Sequence, residues 1–329
     1  MRSRIFLMLL AFFVLAVITA NADDTRATLA AGGLVPVRTT QIVMESEDLQ
    51  ISVHKITVRY IFRNTSPKDI DALVEFPLPD LEGGDFQGPI DIPDEKRLNF
   101  VDFKVTCNGK PVATRMEARA FFKNQDITAR LHADGLPVSV QYNTALAAIE
   151  KLAPAKREQL KREGLIYQLG FQDWYADWTE RVKFYWRQRF PAHSDIVLVQ
   201  SYRPVVGGSY IGADDGSSIV EPYCGGPDAI RRIAQVKHLL HPTDSENYIN
   251  MFENDIDFIL TTGNNWSGPI RRFRLLVKSD SARDIVLTCM PGLKRIGGTR
   301  YQLTRTNFHP ASDLKLLILQ PNTKSSASH

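Results

Sequence analysis

The densest group of side chains that could bind a ligand is a run of aromatic residues followed by a row of cations. Aromatic rings on a protein surface can stack on sugars or anchor a partner, and Trp174, Tyr175 and Trp178 lie in a stretch without regular alternation. The strand that follows carries Arg181 and Lys183, which could meet an anionic partner. We expect these five residues to form a binding surface. A buried core for the rings and a solvated face for the cations are the alternatives.

Other reactive residue types lack the spacing that a catalytic or metal site needs. His238 and His241 are three residues apart on a predicted helix, but no third ligand is identifiable near them. The serine within residues 207–212 does not have the G-x-S-x-G spacing of a nucleophile elbow. The acid-rich stretches 214–216 and 254–257 lack the ligand order of an EF-hand and are expected to be solvated turns. We therefore predict no catalytic residues, no metal, no cofactor and no enzymatic activity.

The N-terminus has the three parts of a secretory signal peptide. Arg2 and Arg4 form its charged start, residues 5–18 are an uninterrupted apolar run, and Ala20-Asn21-Ala22 is an A-x-A cleavage site. An uncleaved anchor is the alternative, but a membrane span needs about 20 apolar residues. We predict that residues 1–22 are removed after Ala22, which leaves a periplasmic or extracellular protein with no membrane span.

Removal of this leader also changes the charge of the chain. It takes away two arginines and no acid, so 38 basic residues remain against 37 acidic ones. A nucleic-acid-binding protein usually carries a strong basic excess or a face of one sign. The composition therefore predicts no nucleic-acid partner, and the expected partner is an unknown envelope protein or a small ligand.

The three cysteines permit one disulfide with one cysteine left over. Cys107 follows Phe103 and Val105 on one face of a predicted strand, which is typical of a small buried apolar residue. A bridge between Cys224 and Cys289 would close a loop of about 65 residues and stabilise the fold by roughly 4 kcal/mol. Two free thiols are the alternative. No C-x-x-C spacing supports a zinc site or a thioredoxin-like site.

Apolar and polar residues alternate with a period of two through most of the chain, which predicts β-strands. The strand 178–190 should direct Val182 and Phe184 to one side and the cations to the other, and we expect residues 196–202 to be its hairpin partner. Asn108-Gly109 predicts another hairpin turn. Residue composition predicts helices at 142–152, 155–163 and 228–240.

These elements predict a mainly β fold, α+β overall, built as antiparallel β-sandwich units with a helical insertion. The predicted division of the chain is a signal peptide at 1–22, an N-terminal antiparallel β unit at 23–125, a helical insertion or linker at 126–165, and a C-terminal β unit at 166–329 that contains the helix 228–240.

Six stretches of the sequence resemble a bacterial exported family known only as domain of unknown function 4424. This resemblance covers nearly the whole mature chain. It implies a Gram-negative-type exported protein with an immunoglobulin-like β fold, and it brings no established activity and no catalytic residues. Residues 56–80 also resemble vault and inter-alpha-trypsin type domains. The stretches that resemble the exported family are 44–52, 58–66, 76–80, 264–270, 289–295 and 313–319.

We therefore expect a non-enzymatic binding or interaction module of the cell envelope. The alternative is a secreted carbohydrate-binding or hydrolytic enzyme that uses the aromatic segment 171–186 as a platform. A third hypothesis makes the protein part of a larger envelope assembly.

Overall fold

The computed structural model of the 329-residue chain describes most of the sequence beyond the predicted leader. The predicted signal peptide, His241 and the acidic pair Asp214-Asp215 lie outside the described residues. The ranges that the structure describes are 31–32, 35–36, 40–78, 80–83, 90–91, 93–94, 97–169, 173–207, 210–211, 216–240 and 251–321.

Strands and helices follow one another along the chain with a helical cluster in the middle. In the described part of the chain, the 3-10 helices Glu221–Tyr223 and Thr261–Asn265 accompany the α-helices. The strands are β1 (Ala31–Gly32), β2 (Val35–Pro36), β3 (Ile42–Ile51), β4 (Ile56–Asn64), β5 (Ile70–Pro77), β6 (Leu81–Glu82), β7 (Ile90–Asp91), β8 (Lys104–Cys107), β9 (Lys110–Pro111), β10 (Arg115–Phe122), β11 (Gln125–Asp126), β12 (Ile166–Leu169), β13 (Asp173–Ala176), β14 (Thr179–Phe190), β15 (Asp195–Tyr202), β16 (Val206–Gly207), β17 (Tyr210–Ile211), β18 (Met251–Ile259), β19 (Ile270–Lys278), β20 (Ile285–Leu287), β21 (Lys294–Gly297), β22 (Arg300–Phe308) and β23 (Leu314–Pro321). The α-helices are α1 (Thr128–Ala133), α2 (Tyr142–Glu150), α3 (Pro154–Glu163), α4 (Ser217–Val220) and α5 (Pro227–Leu240).

The described residues form three large sheets, which confirms the predicted mainly β fold with a helical insertion. The central sheet has the order β21-β22-β19-β3-β4-β15-β8-β9 and is antiparallel except between β3 and β19. The front sheet has the order β11-β10-β14-β5-β2, with β6 also paired to β14. The back sheet has the order β20-β23-β18-β16-β7, with β1 and β17 paired to β18. Strands β12 and β13 form a separate hairpin.

The inner face of the central sheet packs on both other sheets. Phe103 stacks at 4.3 Å from Phe76 and 4.8 Å from Phe184 of the front sheet, measured between ring centroids. The same buried cluster extends to Phe258 and Leu316 of the back sheet. Strands of the central and front sheets alternate apolar and polar residues, so their inner faces join one continuous core and their outer faces meet solvent.

Strand β14 has the two faces that its sequence predicts, but its predicted partner is wrong. Val182, Phe184 and Phe190 are buried and face the core, and alternate residues point outward. However, β14 pairs with β10 and β5, whereas β15 pairs with β4 and β8. The two consecutive strands therefore lie in different sheets. The apolar face of β14 and the apolar face of β15 both turn toward the core between these sheets.

The β segments predicted on either side of the helical insertion share all three sheets. In the front sheet, β14 lies between β10 and β5. In the central sheet, β3 and β4 lie between β19 and β15. In the back sheet, β7 pairs with β16, and β1 pairs with β18. Strands from 23–125 and 166–329 thus alternate within the same sheets.

Three helices lie within the predicted insertion, and the ends of α3 follow local sequence signals. Pro154 occupies the first turn of α3, where its missing N–H group is not needed. Gly164 ends the same helix with a φ of 78°, a left-handed conformation that glycine adopts without a steric penalty. Within the described residues, no helix is both long enough and apolar enough to cross a membrane.

The prediction that residues 254–257 form a solvated turn is wrong. They lie in the middle of β18, a strand of the back sheet with both faces covered. Asp255 and Asp257 are buried on the side covered by α4 and α5, near Tyr223. Burial is the main cause that raises the pKa of the Tyr223 hydroxyl, and a hydrogen bond with Asp255 raises it further. Acidic residues lie inside here because the strand has neighbours on both edges and both faces.

The predicted Cys224–Cys289 disulfide is confirmed, with a Cα–Cα distance of 4.9 Å. It ties the turn between α4 and α5 to the chain that follows β20, so the helical cover is covalently attached to the back sheet. Cys107 is a free thiol that packs half-buried against the core and accepts a hydrogen bond from Gln188 at 3.4 Å. Burial raises the pKa of this thiol.

The central sheet places a carboxyl group inside the main core. Glu47 of β3 is 3% exposed and has Tyr60 and Phe273 as its neighbours in register on the adjacent strands. Burial raises the pKa of Glu47 to about 8, because the charged form loses its hydration there. The native state therefore keeps this proton over a pH range in which the unfolded chain has lost it.

This difference predicts the pH dependence of folding. Between pH 4.5 and 8 the native state binds more protons at Glu47 than the unfolded state, so stability falls as the pH rises through this range. We expect Glu47→Gln to remove this loss, with a gain on the order of 5 kcal/mol at pH 9 and almost none at pH 4. Urea unfolding of both proteins at pH 4 and pH 9 measures this difference in the free energy of unfolding.

The matched control is Glu158→Gln on the exposed surface of α3, which should leave the pH dependence unchanged. A Glu47→Gln variant that is less stable than the parent protein at pH 9 would show that the ionised carboxylate is stabilised in the core.

Candidate functional site

The rings predicted to form a surface platform lie mostly inside the protein. Trp178 is 2% exposed, and its Nε1 donates a hydrogen bond to the Val138 carbonyl at 2.8 Å. Trp174 is buried beneath α3, with Arg157 at 5.9 Å and Lys161 at 5.5 Å from its ring. The prediction of a platform is therefore wrong for both tryptophans. Their irregular stretch folds under the helical insertion rather than onto the surface.

Tyr175 and the carboxyl group of Glu180 are also packed against neighbouring residues. Tyr175 is half-buried and stacks on Tyr167 of the neighbouring strand at 5.3 Å. Glu180 is fully buried, and its Oε2 accepts a hydrogen bond from the Val140 N–H group at 3.1 Å. Burial raises the pKa of Glu180. These groups belong to the packing between the insertion and the front sheet, so the interpretation as a carbohydrate-binding or hydrolytic platform loses its basis.

The predicted cations, in contrast, lie on an open face and line a groove. Arg181 and Lys183 point outward from β14, next to outward-facing residues of β10. The groove has a volume of about 230 Å³. Its walls are formed by Pro77, Leu78, Asp80, Glu117, Arg119, Phe121, Arg181, Val182 and Lys183, and we call it the front groove.

The front groove exists because the neighbour of β14 changes along its length. β5 pairs with β14 as far as Pro77, which faces Lys183, and β6 pairs with β14 only at Thr179 and Glu180. Between these two strands the chain leaves the sheet edge, after the Leu78 N–H group has donated to the Val182 carbonyl at 2.8 Å. β5 ends at Pro77, which has no N–H group to donate to a neighbouring strand. Arg181 and Val182 therefore border a gap in the sheet.

Each cation of the groove has a carboxylate next to it. Arg181 Nε lies 2.7 Å from Asp80 Oδ2, and its guanidinium lies 4.3 Å from the centre of the Phe121 ring. Arg119 Nε lies 2.8 Å from Glu117 Oε1, and this hydrogen bond is the main reason that the pKa of Arg119 is raised. These side chains are a third to a half exposed, and exposed ion pairs contribute only about 0 to 1 kcal/mol. A ligand can therefore replace them at little cost.

Lys183 lies between two carboxylates at the other end of the groove. Its Nζ is 3.1 Å from Glu75 Oε1 and 3.8 Å from Glu117 Oε1. Glu117 thus links Lys183 with Arg119 on the adjacent strand. The front groove presents three cations and two acids around an apolar floor, so cations outnumber acids among its lining residues.

Sequence reasoning missed the half of the groove that β10 supplies. Arg119, Glu117 and Phe121 alternate along β10 and face the same way as Arg181 because Arg119 and Arg181 are partners in register. The alternation of charged residues in β10 could have predicted an exposed strand face. The sequence did not predict that β10 pairs with β14, because these strands are about 60 residues apart and three helices lie between them.

Other predicted ligands are not brought together. His238 is exposed near the end of α5, and among the described residues no group of three or more His, Cys, Asp or Glu side chains could hold a metal ion. A shallow second depression of about 570 Å³ lies against α2 and is lined by small and apolar residues together with Lys151. It lacks the convergent polar groups of the front groove.

Comparisons with known proteins place the chain in a family. No curated protein matches the sequence. Among solved structures, a crystal structure of a protein from Legionella pneumophila, provisionally named a nutrient binding protein, is similar with a TM-score of 0.47. The two sequences are 16% identical, and the match covers 88% of this chain and 70% of that one. The family described as Domain of unknown function (DUF4424) matches residues 22–317, so this chain belongs to that family.

Proposed function

We propose that this protein is an exported, non-enzymatic binding module of the cell envelope that holds a small ligand in the front groove. The observation that carries the proposal is the convergence of Arg119, Arg181 and Lys183, from two adjacent strands, on one groove with an apolar floor. Guanidinium groups bind carboxylates with two parallel hydrogen bonds. The ligand class that this arrangement favours is a small carboxylate with an apolar part.

The size of the groove limits the ligand. Sites for drug-sized molecules have volumes of roughly 300 to 1,000 Å³, and the front groove has about 230 Å³. A molecule the size of an amino acid or an aromatic acid fits this space. Phe121 supplies a ring for contact with its apolar part, and Glu117 and Asp80 can accept hydrogen bonds from an ammonium group.

The groove offers binding groups rather than the parts of a hydrolase. Among its described lining residues there is no histidine, serine or cysteine that could act as a base or nucleophile. Its carboxylates are held by cations instead of standing opposite each other across an open cleft. This arrangement supports a binding role.

The test of ligand binding uses benzoate and L-phenylalanine as probes, with phenethylamine as the probe that lacks a carboxylate. We expect both carboxylates to bind in calorimetric titration and phenethylamine not to bind. Arg181→Gln should weaken binding at least tenfold, because a charge-assisted hydrogen bond contributes about 1.5 to 3 kcal/mol.

Arg187→Gln is the matched control, because Arg187 is exposed on the same strand but lies outside the groove. It should bind the probes as the parent protein does. If neither carboxylate binds at millimolar concentration, or if the Arg181→Gln variant binds them unchanged, the front groove is not a carboxylate site.

The proposed export has its own test. A disulfide is typical of proteins that leave the cytosol, and the Cys224–Cys289 bridge is consistent with that route. We expect mass spectrometry of a periplasmic extract to find a chain that begins at Asp23 and has Cys224 and Cys289 linked. A chain that keeps Met1 and stays in the cytosolic fraction would contradict the proposal.

A further inference from the structure

A second charged surface, on the central sheet, has no role in the proposed function. The outer face of β4, β19, β21 and β22 collects cations from chain segments far apart in sequence. Lys278 faces Arg300 in register, and Asp48 of β3 lies between its register neighbours Arg59 of β4 and Arg274 of β19. We call this surface the basic face; its exposed cations are Arg59, Arg272, Lys278, Lys294 and Arg300.

Carboxylates do not neutralise the basic face. Asp48 binds the guanidinium of Arg274, with 3.0 Å between Nε and Oδ1, and Arg63 pairs with Asp195 at 3.1 Å. None of the five exposed cations has an ion pair within 4.0 Å among the described residues, whereas the three cations of the front groove all have one. The basic face therefore carries a local positive excess in a chain whose total charge is near zero.

The side chains between the cations do not favour a protein partner. Thr57, Gln50 and Thr304 lie between them, and the apolar residues of the same face, Ile61 and Leu276, are half-buried. The core of a protein interface is usually apolar and rich in aromatic residues. Cations with hydroxyl and amide groups instead match an array of phosphates.

The hairpin at the edge of the basic face adds an apolar side chain. Ile296 is 51% exposed at the bulge of β21, two residues after Lys294 and between Arg295 and Gly297, and Gly297 pairs with Arg300. An exposed aliphatic residue surrounded by cations suits the boundary between lipid headgroups and acyl chains. The face is also broad, since the five strands from β4 to β21 span roughly 20 Å.

We propose that the basic face docks the protein on an anionic phospholipid surface, with Lys and Arg side chains on the phosphates and Ile296 at the acyl boundary. This docking leaves the front groove free, because the groove lies on a different sheet. The surface of an open sheet thus serves as a membrane contact, and ligand binding takes place elsewhere on the molecule.

The experiment measures co-sedimentation of the processed full-length protein with vesicles. The vesicles contain 30% phosphatidylglycerol in phosphatidylcholine, and vesicles of phosphatidylcholine alone are the neutral control. We expect binding to the anionic vesicles at 50 mM NaCl and its loss at 500 mM, because salt screens the attraction. The triple variant Arg272→Gln, Lys278→Gln, Arg300→Gln should bind about a hundredfold more weakly, at about fivefold per charge.

Two further variants test whether binding depends on the basic face itself. One controls for the change in net charge, and the other tests the apolar contribution of Ile296. The control triple Lys68→Gln, Arg115→Gln, Arg187→Gln removes the same charge from exposed residues elsewhere and should bind as the parent protein does. Ile296→Ser changes no charge and should weaken binding severalfold, with the salt dependence unchanged.

Three results would overturn the proposal. They are absence of binding to the anionic vesicles at 50 mM NaCl, equal binding by both triple variants, and tighter binding to a 20-base-pair DNA duplex than to the vesicles. Circular dichroism of each variant confirms that the fold is intact.

Discussion

The pairing of β3 with β19 is the interaction on which the rest of the structure depends. It is a parallel contact in an otherwise antiparallel sheet, and it joins residues near the start of the chain to residues more than 220 positions later. Through it, the N-terminal strands β3 and β4 and the C-terminal strands β19 and β22 form one continuous surface. The front and back sheets then cover the inner face of that surface, so neither half of the chain can complete the core without the other.

This shared core explains where the two candidate surfaces lie. Every large sheet turns its apolar face inward, so charged residues gather on the outer faces of the front and central sheets. On the front sheet, the change of neighbour from β5 to β6 opens a gap, and ion pairs that are easily exchanged surround it. On the central sheet, no such gap interrupts β4 or β19, and the cations form a broad face instead. The same fold thus gives one outer face a groove and another a flat contact area.

Sequence reasoning succeeded where the determining signal was local. Three local signals predicted features that the structure has: the alternation in residues 178–190, the helical composition of residues 142–152 and 155–163, and the Cys224–Cys289 pair. β3 escaped notice because the bulge between Met44 and Ser46 breaks its alternation and because Glu47 occupies a core position. A local pattern specifies that a strand has an apolar face, but it does not specify which sheet covers that face.

The candidate site was predictable only in part for the same reason. Arg181 and Lys183 were expected on an open face, and they line the front groove, but Trp178 lies beneath the insertion because distant helices fold over it. Asp255 looked like a turn residue because its burial depends on both neighbouring strands and on α4 and α5. The nearly neutral composition did not predict the basic face, because only the strand order brings Arg59 and Arg300 onto one surface.

Native-state hydrogen exchange tests the central claim that the two halves of the chain share one core. Leu275 of β19 is fully buried, so Leu275→Ala should lower the free energy of opening of β19 by about 3 kcal/mol. If the core is shared, amides in β5 and β14 of the front sheet lose protection by the same amount, because they open in the same global event. Loss of protection confined to β19 and β22, with the front sheet unchanged, would contradict a shared core.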